Sequence, residues 1–234
     1  MPAKPWPSPD PDPNIAVTMP FAEDDAEDLR RLERLLRNTL QQGDPAFLQR
    51  AGQAEATRIL DLACGDCREA DMLTGLFGRL GAPESQGAER LVKLTGVDIR
   101  AREIAEAADR FRSGRLSDAP GVRREFEFLA GDASKLKGHR QMGEDFDLVF
   151  LRHQNFWNGE RVWEEIFQEA LDKMAPEGRL VITSYFDREH GLALETIRRL
   201  GGELITTERN NASRDLVTEG KSVDRHLAVF RRKK

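Results

Sequence analysis

The 234-residue sequence predicts an α/β fold in which a mostly parallel β-sheet is covered on both faces by helices. From Arg58 onward, short apolar runs alternate with segments whose apolar residues recur at helical spacing. This alternation is typical of parallel strands joined by crossover helices. The last two apolar runs have no helical segment between them, so we expect that pair to be antiparallel.

The composition fits a globular domain and disfavours several classes of function. Hydrophobic residues make up 39% of the chain and charged residues 33%, which is enough apolar material to fill a core. The formal net charge of −5 disfavours a general nucleic-acid-binding surface. No apolar run reaches the roughly 18 residues that a membrane span needs. With two cysteines and no secretory signal, we expect a soluble, cytoplasmic protein.

Three regions are predicted along the chain. Residues 1–20 are rich in proline, which removes backbone donors, so they are predicted to be a disordered leader. Residues 21–45 hold a helix over 24–42, which is either a lid over a pocket or a contact in a homodimer. Its apolar stripe consists of Leu29, Leu32, Leu36 and Leu40. Residues 46–234 hold the α/β domain.

Seven strands and four intervening helices are predicted in that domain. The strands are predicted at the apolar runs 58–63, 94–99, 126–130, 146–151, 179–185, 203–208 and 226–230. The helices are predicted, from apolar residues three and four apart, over 67–80, 101–111, 162–174 and 192–200. The result is a doubly wound sheet that ends in an antiparallel pair.

Polar and small residues follow the first three strands, where ligands of open parallel sheets bind. A tight turn at Gly65 would let backbone approach a ligand closely. Asp98 ends the second strand, where a carboxylate can accept hydrogen bonds from a ribose diol. Asp132 ends the third strand and could accept from an exocyclic amine, while Ala133 leaves room for a base.

Each of these residues also has a purely structural explanation. Asp66 and Glu69 have the spacing of a capping box at the start of a helix. Asp98 could cap the helix that follows it.

Taken together, these motifs resemble those of the class I S-adenosylmethionine-dependent methyltransferases. The matching segments are ILDLACGDC (59–67), GVDI (96–99), GDA (131–133), FDLVFLRH (146–153) and APEGRLVI (175–182), the last similar to the family's helix-turn-strand before strand five. The resemblance covers residues 46–234. It implies a Rossmann-like, doubly wound, seven-stranded sheet with an antiparallel C-terminal strand, methyltransferase activity and S-adenosylmethionine as the cofactor.

The resemblance also implies cofactor-binding roles for particular residues. These are Asp61, Ala63, Gly65, Asp98, Ile99, Asp132, Ala133 and Arg152. Asp61 would organise the loop near the methionine end of the cofactor, Asp98 would bind the ribose hydroxyls, and Ile99 would lie against the adenine. The family often has glycine at the positions of Ala63 and Cys67, so this chain departs from the family pattern there.

The catalytic and acceptor-binding residues are expected after strands four and five. His153 and His190 are the candidate general bases, because imidazole titrates near neutral pH. The candidate acceptor-binding residues are Asn155, Phe156, Trp157 and Tyr185. The structural alternatives are that His153 satisfies a strand end and that Phe156 and Trp157 pack under the next helix.

Several other functions compete with the methyltransferase hypothesis. Cys64 and Cys67 raise a zinc or redox alternative, but the histidines lack paired metal spacing, so no metal is predicted. An NAD-binding domain would need glycines that are missing here. A non-catalytic nucleoside-binding module and an RNA or protein methyltransferase also remain open. We expect a small-molecule acceptor in preference to a nucleic acid, and no membrane partner.

Overall fold

A computed structural model describes residues 20–80, 89–113, 121–139, 142–154, 156 and 159–233. Its helices are α1 (Pro20–Gly43), α2 (Pro45–Gln53), α3 (Ala70–Gly78), α4 (Ala101–Ser113), α5 (Glu160–Lys173) and α6 (Asp187–Arg199). Its strands are β1 (Ala56–Leu62), β2 (Arg90–Asp98), β3 (Val122–Ala130), β4 (Phe146–Leu151), β5 (Met174–Ser184), β6 (Gly202–Arg209) and β7 (His226–Arg232). The predicted proline-rich leader lies outside the described residues up to position 19.

The strands form one sheet in the order β3-β2-β1-β4-β5-β7-β6. β1 to β5 pair in parallel, whereas β7 pairs antiparallel with both β5 and β6. The predicted doubly wound sheet with an antiparallel C-terminal strand is therefore confirmed. The strand order reverses between β1 and β4, and ligands of such sheets bind beside this switch point. No helix in the described ranges is long and apolar enough to cross a lipid bilayer.

Apolar side chains form a core on each face of the sheet. α1, α3 and α4 pack on one face, and α5 and α6 cover the other. In α1, Leu32, Leu36 and Leu40 are fully buried. Burial of each leucine contributes about 1.5–3 kcal/mol. The leucine stripe of α1 therefore packs on the sheet of its own chain.

A helix that the sequence did not predict, α2, follows α1. Asp44 caps it, because Asp44 Oδ1 accepts a hydrogen bond from the backbone N–H of Phe47 at 3.2 Å. Pro45 stands in the first turn, where its missing N–H costs nothing. The second oxygen of Asp44 accepts from Arg179 Nε at 2.5 Å, which ties α2 to β5.

The loop between β1 and α3 is longer than predicted, and the expected capping box is wrong. α3 begins at Ala70 rather than at Cys67, because the φ of 51° at Cys67 is incompatible with an α-helix. Glu69, not Asp66, precedes the helix, and its side chain makes no capping hydrogen bond. Asp66 instead accepts a hydrogen bond from Arg110 Nη2 at 3.0 Å.

Other boundaries also differ from the prediction, and β2 and β3 begin at Arg90 and Val122, before their predicted starts at 94 and 126. Residues 175–178, which the resemblance placed in a turn, belong to β5, whose register against β4 shifts between Phe146 and Leu148. α6 begins at Asp187, five positions before the predicted start, and Asp187 and Glu189 supply acidic side chains in its first turn.

Candidate functional site

A cavity of about 700 Å³ opens at the carboxyl edge of the parallel strands, beside the β1–β4 switch point. The loops after β1, β2, β4 and β5 all contribute to its walls. The predicted site residues that line it are Ala63, Gly65, Arg152, His153 and Tyr185. The sequence-predicted edge of the sheet is therefore the edge that carries the cavity.

The loop after β1 has an alternating left-handed backbone. The φ angles are 55° at Ala63, 59° at Gly65 and 51° at Cys67. At Gly65 the φ of 59° is a conformation that favours glycine, and an added Cβ would lie 2.8 Å from Arg100 Nη2, at the end of a side chain that can move. Alanine and cysteine in this region cost roughly 1–2 kcal/mol each. The two positions at which the family often has glycine are thus positions whose backbone favours glycine.

Asp61, at the end of β1, is a buried carboxyl group with an unused oxygen. Its side chain is fully buried, and Oδ2 accepts a hydrogen bond from Cys67 Sγ at 3.3 Å. Oδ1 has no hydrogen-bond partner among the described residues. Burial, together with the nearby charge of Glu69, raises the pKa of Asp61 well above its ordinary value. A cationic or hydrogen-bond-donating ligand beside Asp61 would stabilise the ionised carboxylate and so lower its pKa.

Asp98, at the end of β2, is bonded directly to the loop after β1. Its Oδ2 accepts from the backbone N–H of Gly65 at 2.8 Å, and Oδ1 accepts from Arg100 N at 2.9 Å and from Arg100 Nε at 3.0 Å. Burial opposes ionisation, but these donors outweigh it and hold the pKa of Asp98 below its ordinary value. The next residue, Ile99, is 71% exposed, which leaves an apolar side chain at the strand tip.

Asp132 and Ala133 follow β3 and do not line the cavity. Asp132 Oδ1 accepts from the backbone N–H of Ser134 at 3.0 Å and from its hydroxyl at 2.7 Å. These hydrogen bonds, with Lys135 nearby, hold the pKa of Asp132 below its ordinary value. Asp132 thus stabilises its own turn, and the predicted contact of these two residues with a base stays a prediction.

Arg152 and His153, after β4, converge on Asp224, a residue that the sequence analysis missed. Arg152 donates from Nε at 3.1 Å and from Nη2 at 2.7 Å to the two oxygens of Asp224. The hydroxyl of Thr183 donates to Asp224 Oδ1 at 2.8 Å, and His153 Nε2 lies 2.9 Å from the same oxygen. Burial raises the pKa of Asp224, but His153 and Arg152 outweigh this and hold it far below its ordinary value.

The position of Asp224 in the sequence could have identified it as a residue at the carboxyl edge of the sheet. Asp224 stands just before β7, the strand predicted to be antiparallel. An antiparallel strand starts at the edge where its parallel neighbours end, so the residue before it belongs to the carboxyl edge. Arg152, predicted to bind the cofactor, is paired to this carboxylate and also lies 3.7 Å from Glu69.

His190 lies outside the cavity lining, unlike His153. Its Nδ1 is 3.2 Å from the hydroxyl of Ser184, and its Nε2 is 2.8 Å from that of Thr207. Its ring stacks on His226 at 4.5 Å, and burial and that neighbour lower the pKa of His190 to about 4. Because hydroxyl groups engage both ring nitrogens, the geometry favours a packing role for His190 over the predicted role as a base.

The predicted acceptor-binding residues separate into two groups. Tyr185 lines the cavity, stacks on His153 at 3.8 Å and has Lys221 Nζ 4.2 Å from its ring centre. Phe156 is 2% exposed and stacks on Phe167 of α5, as the alternative of core packing expected. The other two candidates, Asn155 and Trp157, lie outside the described residues.

Asp61, Cys64 and Cys67 offer three ligand atoms within 4.8 Å of one another, and all three residues are buried. In the described part of the chain, no fourth histidine, cysteine or carboxylate joins this group. Burial raises the pKa of the Cys67 thiol well above its ordinary value, so it keeps its proton and donates to Asp61. A protonated, buried thiol favours a packing role beneath the loop over the zinc and redox alternatives.

Comparison with known proteins gives similarity at the level of structure. No protein-family model matches the chain, and no curated protein matches its sequence. An S-adenosylmethionine-dependent methyltransferase from Methanosarcina mazei is 14% identical, with a TM-score of 0.55 over 77% of this chain and 95% of that one. The N-methyltransferase NodS from Bradyrhizobium japonicum is 17% identical, with a TM-score of 0.51 over 93% of this chain and 99% of that one.

An rRNA methylase from Streptococcus thermophilus is 14% identical, with a TM-score of 0.52 over 81% of this chain and 93% of that one. Identities this low carry information about the fold alone. The chain therefore has the fold of the class I S-adenosylmethionine-dependent methyltransferases.

Proposed function

We propose that the protein is an S-adenosylmethionine-dependent methyltransferase that acts on a small molecule. The observation that carries this proposal is the pair of carboxyl groups beside one left-handed loop at the switch point. Asp61 lies beneath that loop with a free oxygen, and Asp98 is bonded to the N–H of Gly65 within it.

The residues at this loop fit a nucleoside that carries an amino acid linked through sulfur. The partnerless Oδ1 of Asp61 would accept a hydrogen bond from the ammonium group of the cofactor. Asp98 would accept from the ribose hydroxyls once the side chain of Arg100, which is 56% exposed, moves aside. The exposed Ile99 offers an apolar surface for the adenine. Contacts from Asp132, Ala133 and Arg152 to the cofactor remain predictions.

Bound S-adenosylmethionine would supply a methyl group activated by a sulfonium cation. The chain would then provide alignment and exclusion of water. The stacked rings of His153 and Tyr185 form an aromatic wall of the cavity, and such a wall favours a cationic donor. The buried carboxylate of Asp224 keeps that wall in place through His153.

A small acceptor is favoured over a nucleic acid by the pairing of the cations around the cavity. A phosphate backbone is bound by basic side chains that are free to contact it. Here three arginines near the site already face carboxylates of the same chain. These ion pairs are Arg68 with Asp25, Arg152 with Asp224, and Arg214 with Asp28.

Calorimetric titration with S-adenosylmethionine tests the proposal. We expect the wild-type protein to bind, and Asp98→Ala to weaken binding about 10- to 100-fold, since hydrogen bonds to a charged group contribute about 1.5–3 kcal/mol. Glu203→Ala is the matched control, because Glu203 is an exposed carboxylate on β6 that pairs with Arg231. Absence of binding by the wild type, or equal affinity of the Asp98→Ala variant, would contradict the proposal.

A second candidate function, binding of a nucleoside without turnover, is favoured by the loop after β1. Ala63 and Cys67 stand there at left-handed positions where the family often has glycine, so this loop departs from the family pattern. Incubation with S-adenosylmethionine and a metabolite extract separates the two functions. A methyltransferase accumulates S-adenosylhomocysteine, whereas a binding module does not.

A further inference from the structure

We infer that the methyl acceptor is a small organic anion, and that Lys221 binds its carboxylate or phosphate group. This inference rests on the proposed methyltransferase function and names the class of the acceptor. Three observations carry it. They are the place of Lys221 in the cavity, the hairpin that holds it there, and its lack of a carboxylate partner in the described part of the chain.

Lys221 lies beside the space that the acceptor would occupy. A second cavity of about 240 Å³ adjoins the first. Four side chains, among them Tyr185, line both cavities, whereas Gly65 lines only the first. Because the cofactor would lie over the Gly65 loop, the acceptor belongs where the two cavities meet. Lys221 lines the first cavity, and its Nζ lies 4.2 Å from the ring centre of Tyr185.

A short hairpin between β6 and β7 fixes the backbone of Lys221. Asp215 and Ser222 form a bridge between its arms, and the N–H of Leu216 donates to the carbonyl of Lys221 at 2.9 Å. The N–H of Ser222 donates to the carbonyl of Tyr185 at 3.2 Å, which ties the hairpin to the loop after β5. The ammonium group is thereby held near its place before any ligand arrives, which lowers the entropic cost of binding.

Lys221 differs from the arginines that line the first cavity. Each of those arginines forms an ion pair with a carboxylate of the same chain. The pairs are Arg68 with Asp25, Arg100 with Asp98, and Arg152 with Asp224. Over the described residues, no carboxylate lies within ion-pair distance of the Lys221 ammonium group, whose neighbour is the ring of Tyr185.

Glu189, a buried carboxylate that lines the same cavity, is engaged by other groups. Its Oε1 accepts from the N–H of Phe156 at 3.3 Å, and its Oε2 accepts from the N–H of Tyr185 at 3.2 Å. Burial raises the pKa of Glu189, while these hydrogen bonds and the more distant charge of Lys221 oppose the rise. The ammonium group of Lys221 therefore retains its capacity to bind an anionic ligand.

The charges in this space favour an anionic acceptor over a cationic or neutral one. A cationic acceptor would be repelled by Lys221 and by the sulfonium of the bound cofactor. A neutral acceptor would leave Lys221 without an ionic partner. An anionic acceptor would gain an ion pair in a partly enclosed site, where attraction between charges is stronger than in bulk water. One such cation suits a single anionic group and not a phosphate backbone, which needs a row of them.

NMR titration of the lysine side chains with inorganic phosphate, and separately with acetate, tests the anion site in the free protein. We expect the Lys221 signal, assigned by its loss in Lys221→Met, to shift saturably with one anion or both. The comparison of the two anions distinguishes a phosphate from a carboxylate. Lys93 is the internal control, because it already pairs with Glu127 at 2.9 Å. A Lys221 signal that moves no more than the Lys93 signal would overturn the inference.

A metabolite extract separated on an anion exchanger at pH 7 tests the acceptor class. With methyl-labelled S-adenosylmethionine, we expect label to enter molecules of the retained fraction. Transfer only to the unretained fraction, or to neither fraction, would overturn the inference.

Substitution of Lys221 tests whether it selects the acceptor. Lys221→Met should raise the apparent KM for the retained fraction about 10- to 100-fold, with a smaller change in kcat, because a hydrogen bond to a charged group is lost. Lys221→Arg should restore most of the loss. Methionine preserves packing on Tyr185, so a purely structural role would leave KM unchanged. Lys233→Met, at an exposed position after β7, is the matched control.

Calorimetry with S-adenosylmethionine separates this inference from the function on which it rests. Failure of the wild type to bind the cofactor contradicts the proposed function, whatever phosphate or acetate does at Lys221. Normal cofactor binding with a neutral or cationic acceptor overturns the acceptor class alone. Weaker cofactor binding by Lys221→Met would assign Lys221 to the carboxylate of the cofactor and would also overturn the inference.

Discussion

The two walls of the cavity differ in how completely their polar groups are satisfied. Behind the wall after β1 and β2 lies a fully buried carboxyl group, Asp61, with a partnerless oxygen beneath a strained loop. The wall after β4 and before β7 has Asp224, whose oxygens accept from Arg152 and Thr183 and contact His153. We call the first wall incomplete, because one buried oxygen there has no partner among the described residues, and we call the second complete. We therefore expect substitutions in the first to change binding most, and substitutions in the second to change stability most.

The largest expected effect comes from removing the carboxylate of Asp224 from the complete wall. Asp224→Ala leaves the buried guanidinium of Arg152 with a distant partner, Glu69 at 3.7 Å, so we expect a loss of about 3–5 kcal/mol in the free energy of unfolding. Urea unfolding measures it. Asp187→Ala is the control, because this 57% exposed carboxylate also faces an arginine, Arg225, and should cost under about 1 kcal/mol. Equal losses of unfolding free energy in the two variants would mean that the complete wall contributes no more to stability than an exposed ion pair.

A smaller effect of opposite sign is expected from Asp61. Its folded pKa is raised above the ordinary 3.8, so the folded state disfavours the ionised form. Asp61 therefore costs stability as pH rises above about 3.8, and the cost grows until the folded pKa is reached. Asp61→Asn should raise the free energy of unfolding at pH 7 by about 1–2 kcal/mol and weaken cofactor binding.

The free energy of unfolding of this variant and of the wild type, measured at pH 7 and at a pH well below 3.8, checks the sign. The gain should disappear at the acidic pH, where the wild-type carboxyl is protonated in both states. Asp172→Asn, on the exposed side of α5, should show no such gain. Destabilisation of Asp61→Asn at neutral pH would mean that its carboxylate is already satisfied in the free protein.

The smallest expected effect concerns the strained loop of the incomplete wall. Ala63→Gly places glycine at a φ of 55°, so relief of strain should outweigh the entropy of glycine and stabilise the protein by about 0.5 kcal/mol. Ala105→Gly, at an exposed position inside α4, should instead cost about 1 kcal/mol. Thermal unfolding compares the stabilities of the two variants. A loss of stability in both would contradict backbone strain at position 63.

The sequence predicted the incomplete wall better than the complete one, for a physical reason. Asp61 and Asp98 come at the ends of strands whose apolar runs are visible in the sequence, and parallel strands end at one edge. The separation of His153 from His190 could not be predicted in this way. Both follow strands, and only the packing of α6 against β6 brings Thr207 to His190, which is buried where His153 is half-buried.

Some local errors also have physical causes. The spacing of Asp66 and Glu69 suits a capping box, but the left-handed backbone at Cys67 delays the start of α3. Phe156 follows a strand at the functional edge, yet its ring packs on Phe167 in the core. In both cases a backbone angle or a tertiary contact outweighed a valid local pattern.

By itself the sequence determined the alternation of strands and helices, the antiparallel end of the sheet and the edge of the sheet that carries the cavity. These follow from apolar periodicity and from the chemistry of short segments, which act over a few residues. Only the tertiary structure decided that Asp224 meets His153, 71 positions earlier in the chain. Such a contact depends on strand order across the sheet, and strand order is set by the packing of the whole domain and not by any one segment.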